Sequence, residues 1–410
     1  MSANSKKKKI IITVIVCVVF VVLASIFLPS GIRRLSEKIK EKKKIENTIH
    51  LTEASDLLLL NENPDAYFVL DNDINCGGVT YVPTRDFSGK LDGQGHVISN
   101  LNITNALNYG GYGLFASVKN AEIKNFALTN FTVTVNTVNN DSGVCAGGLV
   151  GNAQGKTTIT NCFVQGTIYI DKQSKDLYVG GLVGYHGGLS LTVTECLSDV
   201  KITNNITDPT NYTLNMGGII GYAHYFTQLE HCVFTGILDS EYVPDGLVQP
   251  SRMLAKVNAG GIVGTSYTAN STFNECVSAP VKIVASLSLF TSKDNCKIGG
   301  IIGNAPNGHK ATYCYYAVQN DYHEANSSWS CYYSKTSNSI GVDVSKSFEN
   351  RFDLLTQTFL AGQAHYLNDY SESVAIKLNF NPDVWYLVDG WGKFGLKPFD
   401  DGVEFHYNQQ

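Results

Sequence analysis

The sequence predicts an all-β protein, a parallel β-helix solenoid preceded by a transmembrane helix and closed by short helical capping segments. Three observations predict it. One phrase, Gly-Gly-(Leu/Ile)-(Val/Ile)-Gly, recurs at Gly147, Gly180, Gly217, Gly260 and Gly299, at intervals of 33, 37, 43 and 39 residues. A cysteine follows each start by 15 or 16 residues, at Cys162, Cys196, Cys232, Cys276 and Cys314. Short alternating runs rich in Val, Ile, Thr, Tyr and Phe lie between them, a strand pattern rather than an amphipathic-helix pattern. A period of this length marks a repeat in which each unit buries its apolar face against its neighbours.

From the N-terminus, residues 1–9 form a basic tail ending in Lys6 to Lys9. The apolar run Ile10–Leu28, closed by Pro29, holds 19 residues. At about 1.5 Å rise it spans about 28 Å, close to a hydrocarbon core of roughly 30 Å. Residues 10–29 therefore read as a transmembrane anchor. The run is long for a cleaved signal peptide, and Leu23-Ala24-Ser25 makes a poor cleavage site. Residues 30–50 form a charged stalk. Residues 1–50 carry 11 Lys or Arg against 3 Glu; the whole chain has a formal charge of −5, which by subtraction leaves the rest at about −13. An acidic folded part argues against nucleic acid as a partner.

Residues 51–344 are assigned to the β-helix with its N-terminal cap. Thr52 is placed to cap a helix running to about Leu60, whose Leu57 to Leu60 would cover the first coil. The stretch Phe87-Ser88-Gly89-Lys90-Leu91-Asp92-Gly93-Gln94-Gly95 contains two turn signals, and Asp92 is read as a turn-former. In each later unit the glycine phrase is expected to be a strand nearly free of side chains. Its glycine pairs (Gly147 and Gly148, Gly180 and Gly181, Gly217 and Gly218, Gly260 and Gly261, Gly299 and Gly300) mark corners or close coil packing. A polar turn follows, then an alternating strand such as Thr158–Val164, then a third strand such as Thr167–Ile170. Phe126 aligns with the cysteines in a degenerate earlier copy. A phenyl ring can replace packing but not sulfur chemistry, so Phe126, Cys162, Cys196, Cys232, Cys276 and Cys314 are expected to be an inward structural ladder. Residues 345–410 form a C-terminal capping segment, with a helix over Phe348–Tyr366 and a closing element from Trp385 to Phe394.

The repeated phrase with Ile159-Thr160-Asn161-Cys162, the opening Phe87-to-Ile103 stretch and the Val384-Trp385 element together resemble the GLUG-motif repeats of bacterial surface proteins. The resemblance covers roughly residues 66–318 and the C-terminal element. It implies an extracellular β-helix, here expected to be right-handed, that serves as a stalk or binding surface and has no active site. The basic residues after the span outnumber those before it, and taken literally they would place the large part in the cytoplasm. The resemblance points outward, and a cell-membrane location with an extracellular C-terminal domain is the reading adopted.

The sequence carries few motifs with chemistry in them. His323-Glu324-Ala325-Asn326-Ser327 lacks the second histidine of a zinc-peptidase helix. Asp71-Asn72-Asp73-Ile74-Asn75 lacks the glycine and the final glutamate of a calcium loop. A glycan-cleaving β-helix needs carboxylates roughly 5–9 Å apart, yet Asp199 and Asp239 follow their cysteines by 3 and 7 residues, out of register. No catalytic residue, metal or cofactor is assigned. The expected function is that of an adhesin or display module binding host or cell-surface glycans or proteins. The alternatives are a polysaccharide-active enzyme, a structural spacer and a cytoplasmic scaffold.

Overall fold

The structure is a computed structural model, and it describes residues 48–77, 79–103, 111–136, 143–172, 176–206, 212–240, 256–278, 282–285, 296–307, 310–312, 314–316, 365–366, 385–388 and 393–396. The chain divides into two compact units, Met1–Ile49 and His50–Gln410, and the stacked coils belong to the second. The expected span over 10–29 and the stalk over 30–47 lie outside the described residues. Among the described residues no helix is long and apolar enough to cross a membrane.

The fold is all-β, with parallel sheets stacked in a β-helix-like manner. From Gly111 to Tyr316 each coil contributes one strand to each of two faces and one or more to a third. The first face aligns Gly111–Tyr112, Val144–Gly147, Leu177–Gly180, Thr213–Gly217, Lys256–Gly260 and Cys296–Gly299. The second aligns Phe115–Lys119, Val150–Gln154, Val183–His186, Ile220–Ala223, Val263–Ser266 and Ile302–Asn304. The third carries Glu122–Asn136 and Lys156–Lys172, then shorter strands in the later coils. Hydrogen-bond register sets like upon like: Gly147 pairs with Gly180, Gly180 with Gly217, Gly217 with Gly260, and Gly260 with Gly299.

The glycine phrase differs from the expected strand. Gly147 ends one strand, Gly148-Leu149 forms the bend, and Val150-Gly151 begins the next. The phrase is therefore the corner between the first two faces. The reason is space: a Cβ on Gly181 would lie 2.0 Å from Ser198 Oγ, and one on Gly261 would lie 1.8 Å from Ser278 Oγ. The expected second and third strands are in one coil a single strand, Lys156–Lys172. It stays continuous because it pairs along most of its length with Glu122–Asn136, across two register shifts.

The third face turns at the residue before Phe126, Cys162, Cys196, Cys232 and Cys276. Asn125, Asn161, Glu195, His231 and Glu275 all have left-handed φ, from 50° to 56°. This kink aims the next side chain inward. Phe126 and Cys162 are Cα partners. Phe126, Cys162, Cys196, Cys232, Cys276 and Cys314 are all fully buried.

The N-terminal cap differs in detail. A 3-10 turn spans Ala54–Leu58 with Glu53 at its N-cap, and one α-turn follows at Leu59–Glu62. Thr52 does not cap, because its hydroxyl donates to Asp56 Oδ2 (2.9 Å) instead of accepting a backbone N–H. Leu57 and Leu60 are buried, whereas Leu58 is 57% exposed. Strand structure begins at Thr48, inside the stretch assigned to the stalk. At the far end, His365–Tyr366 is a strand paired with Tyr315–Tyr316, not the end of a helix; residues 348–364 lie outside the described set. Trp385–Val388 and Lys393–Leu396 form an antiparallel hairpin.

Candidate binding face

The glycine corner folds the first face against the second so tightly that side chains from both meet. In one column stand Cys145, Tyr178, Asn215, Asn258 and Lys297. In the other stand Ser117, Asn152, Tyr185, Tyr222, Thr265 and Asn304. The contacts that join them include the Tyr178 and Tyr185 rings at 5.0 Å, the Thr265 hydroxyl donating to Asn215 Oδ1 at 2.6 Å, and Lys297 Nζ donating to Asn304 Oδ1 at 2.8 Å.

From this seam an aromatic cluster opens outward. Tyr222 lies edge-on to Tyr178 at 5.1 Å and stacked on Tyr185 at 5.7 Å. The Tyr185 hydroxyl and His224 Nδ1 share a hydrogen bond of 2.9 Å. His224 stacks on Tyr225 at 4.6 Å and meets Tyr267 of the next coil at 4.9 Å. Tyr225 is 50% exposed, Tyr267 43% and Phe226 39%. Desolvation raises the hydroxyl pKa of Tyr178 and Tyr185 and pushes Tyr222 up to about 12, so these rings carry neutral hydroxyls. Flat, amphipathic rings with neutral donors suit contact with sugars or protein side chains.

A second cluster occupies the left-handed column. His231 Nδ1 lies 3.2 Å from Glu195 Oε1, and Nε2 lies 2.6 Å from Glu275 Oε2. Burial opposes protonation, yet the two carboxylates outweigh it and lift His231 to about 9. In the coils below, the same column holds amides: Asn161 Nδ2 donates to Asn125 Oδ1 (3.1 Å), and Asn125 Nδ2 to Asp92 Oδ1 (3.0 Å). Sequence reasoning looked for recurring acids after the cysteines and missed this column immediately before them. The signal was Glu195-Cys196, His231-Cys232 and Glu275-Cys276.

No nucleophile stands out among the described residues. Burial pushes the Cys145 thiol up to about 12 and those of Cys196, Cys232 and Cys276 well above the usual range. None of Cys76, Cys145 and the five column cysteines is joined in a disulfide. Asp199 accepts from Gln165 Nε2 and from Thr235 Oγ1, both at 3.2 Å, while Asp239 pairs in register with Thr203 and Val284, so the two acids are not brought together. Gln94 N–H donates to Asp92 Oδ1 at 3.1 Å in a turn. The His323-Glu324 stretch lies outside the described residues.

Comparison with known proteins adds to this geometry. The family model described as "The GLUG motif" matches residues 142–169, which contain the Gly147 corner and Cys162. No curated protein matches. Among solved structures, the chain is similar to a Bacteroides ovatus protein provisionally named an immunoglobulin A1 protease, with 14% identity, 86% of this chain and 92% of that chain covered, and a TM-score of 0.52. That likeness concerns the fold alone. A structure named IgA1 Protease is 15% identical, covers 60% of this chain and 23% of its own length, and has a TM-score of 0.31, too low to carry an argument. The chain thus carries the GLUG motif at residues 142–169 within an all-β stack of parallel coils, consistent with a GLUG-repeat protein.

Proposed function

We propose that this chain is a cell-surface binding module: a right-handed parallel β-helix over 51–344, held to the membrane by residues 10–29 and displayed outside the cell. It acts on glycans or proteins by binding, without catalysis. The observation that carries this reading is the exposed ring group Tyr225, Phe226 and Tyr267, seated on the Tyr178–Tyr185–Tyr222–His224 cluster. The GLUG motif supports a surface role, and the inert thiols among the described residues favour binding over nucleophilic chemistry.

Retention of the purified chain on glycan and protein arrays tests the reading. Binding should fall at least tenfold in Tyr225→Ala and Tyr267→Ala variants; retention no better than that of an unrelated acidic solenoid would refute it. Immunoglobulin A1 belongs on the array because the structural neighbour bears its name. Retention without cleavage supports the binding reading, whereas cleavage makes the chain an enzyme. Protease shaving of intact cells tests the outward orientation.

A further inference from the structure

The acid–histidine column gathers more ligating groups than a ladder requires. One oxygen of Glu230, one imidazole nitrogen of His231 and one oxygen of Glu275 all lie within 4.8 Å of one another. In the lower coils the column is a simple chain, with Asn161 donating to Asn125 and Asn125 to Asp92. Glu230 is different: it sits one residue before the column, yet its carboxylate approaches the same imidazole and has no hydrogen-bond or ion-pair partner among the described residues. Two carboxylates therefore converge beside one imidazole, each half-buried at the rim of the stack. The third acid, Glu195, takes the opposite nitrogen, Nδ1, at 3.2 Å. A carboxylate on Nδ1, with Nε2 turned to the ligating Glu275 oxygen, is the arrangement that fixes the tautomer of metal-bound histidines.

We propose that Glu230, His231 and Glu275 form a binding site for a divalent first-row metal ion, with Glu195 as a positioning residue for the imidazole. One nitrogen and two oxygens are a donor set suited to Zn²⁺ and its neighbours rather than to Ca²⁺ or Mg²⁺, which favour all-oxygen shells. Tetrahedral arms of about 2.0–2.2 Å place donor atoms about 3.3 Å apart. The Nε2–Glu275 contact of 2.6 Å must open and the wider separations must close, changes on the scale of side-chain rotation. On binding, the Nε2 proton leaves to solvent, the nitrogen lone pair takes the metal, and water completes the shell. Ligands come from two successive coils, so the ion pins one coil to the next.

The test is titration of the full chain with Zn²⁺ by calorimetry, paired with Co²⁺ absorption. One saturable site per chain is expected, with a tetrahedral Co²⁺ spectrum free of thiolate charge-transfer bands. His231→Gln and Glu275→Gln should weaken binding at least a hundredfold, and Glu195→Gln about tenfold. Glu230→Gln disturbs no hydrogen bond of the fold, so its loss of affinity reports on ligation even if the other variants fold poorly. Affinity unchanged in Glu230→Gln and His231→Gln, a thiolate band, or no saturable binding overturns the proposal.

Discussion

A Cβ placed on Gly218 would stand 2.2 Å from Cγ of Phe234 and 2.1 Å from the carbonyl oxygen of Gly261. The corner is closed on one side by a core ring and on the other by the backbone of the next coil. Gly218→Ala should therefore destabilise the chain by about 1–3 kcal/mol or more, the cost of forced overpacking. Shrinking the ring with Phe234→Leu should not restore stability, because the carbonyl still blocks the methyl. Chemical denaturation of both variants checks this.

The left-handed column makes a backbone prediction. Asn161 has φ of 51°, where a Cβ costs about 1–2 kcal/mol unless the side chain bonds locally. Asn161→Ala should be less stable than Asn161→Gly by about 1 kcal/mol, although both lose the bond to Asn125. Denaturation midpoints of the pair decide it.

Thiol reactivity should report folding. Cys196, Cys232 and Cys276 are fully buried with thiols held well above their usual pKa. At pH 8 they should resist alkylation in the native chain and react at the rate of coil opening once denaturant is added, as read by mass spectrometry.

Acid sensitivity should centre on His186. Its ring is fully buried, its Nδ1 donates to Thr227 Oγ1 at 2.9 Å, and its Nε2 has no partner. Burial first, and then the nearby His224, lower it to about 4, so the folded state keeps the ring neutral. Its unfolded pKa is higher, near 6.5. Stability is therefore fully present above about 6.5 and falls as pH drops toward 4, by up to about 3 kcal/mol. His186→Gln should flatten the pH dependence of the melting temperature in that window.

The exposed rings should be dispensable for folding. Tyr225→Ala and Tyr267→Ala remove one ring contact each, so stability should change by no more than about 1 kcal/mol. Calorimetric melting checks that any loss of array binding comes from the surface and not from unfolding.

Much of the frame was legible in the residues. Coil spacing and the inward column show in sequence because β-pairing sets like positions together and alternation reports burial directly. The cap shows why local signals mislead: Thr52 is a good capping residue, but Asp56 four positions on attracts its hydroxyl. Likewise Gly147-Gly148 announces a tight backbone without saying whether it is a strand or the bend between two.

Local spacing and alternation by themselves determined the all-β character, the parallel stacking and the buried column from Phe126 to Cys314. Only the folded molecule decided that Tyr178 meets Tyr185 across a corner and that Glu195, His231 and Glu275 converge. These last residues are separated by 36 and 44 positions. Coils of unequal length absorb their differences in loops, and hydrogen-bond register, not chain distance, then brings the side chains to one place.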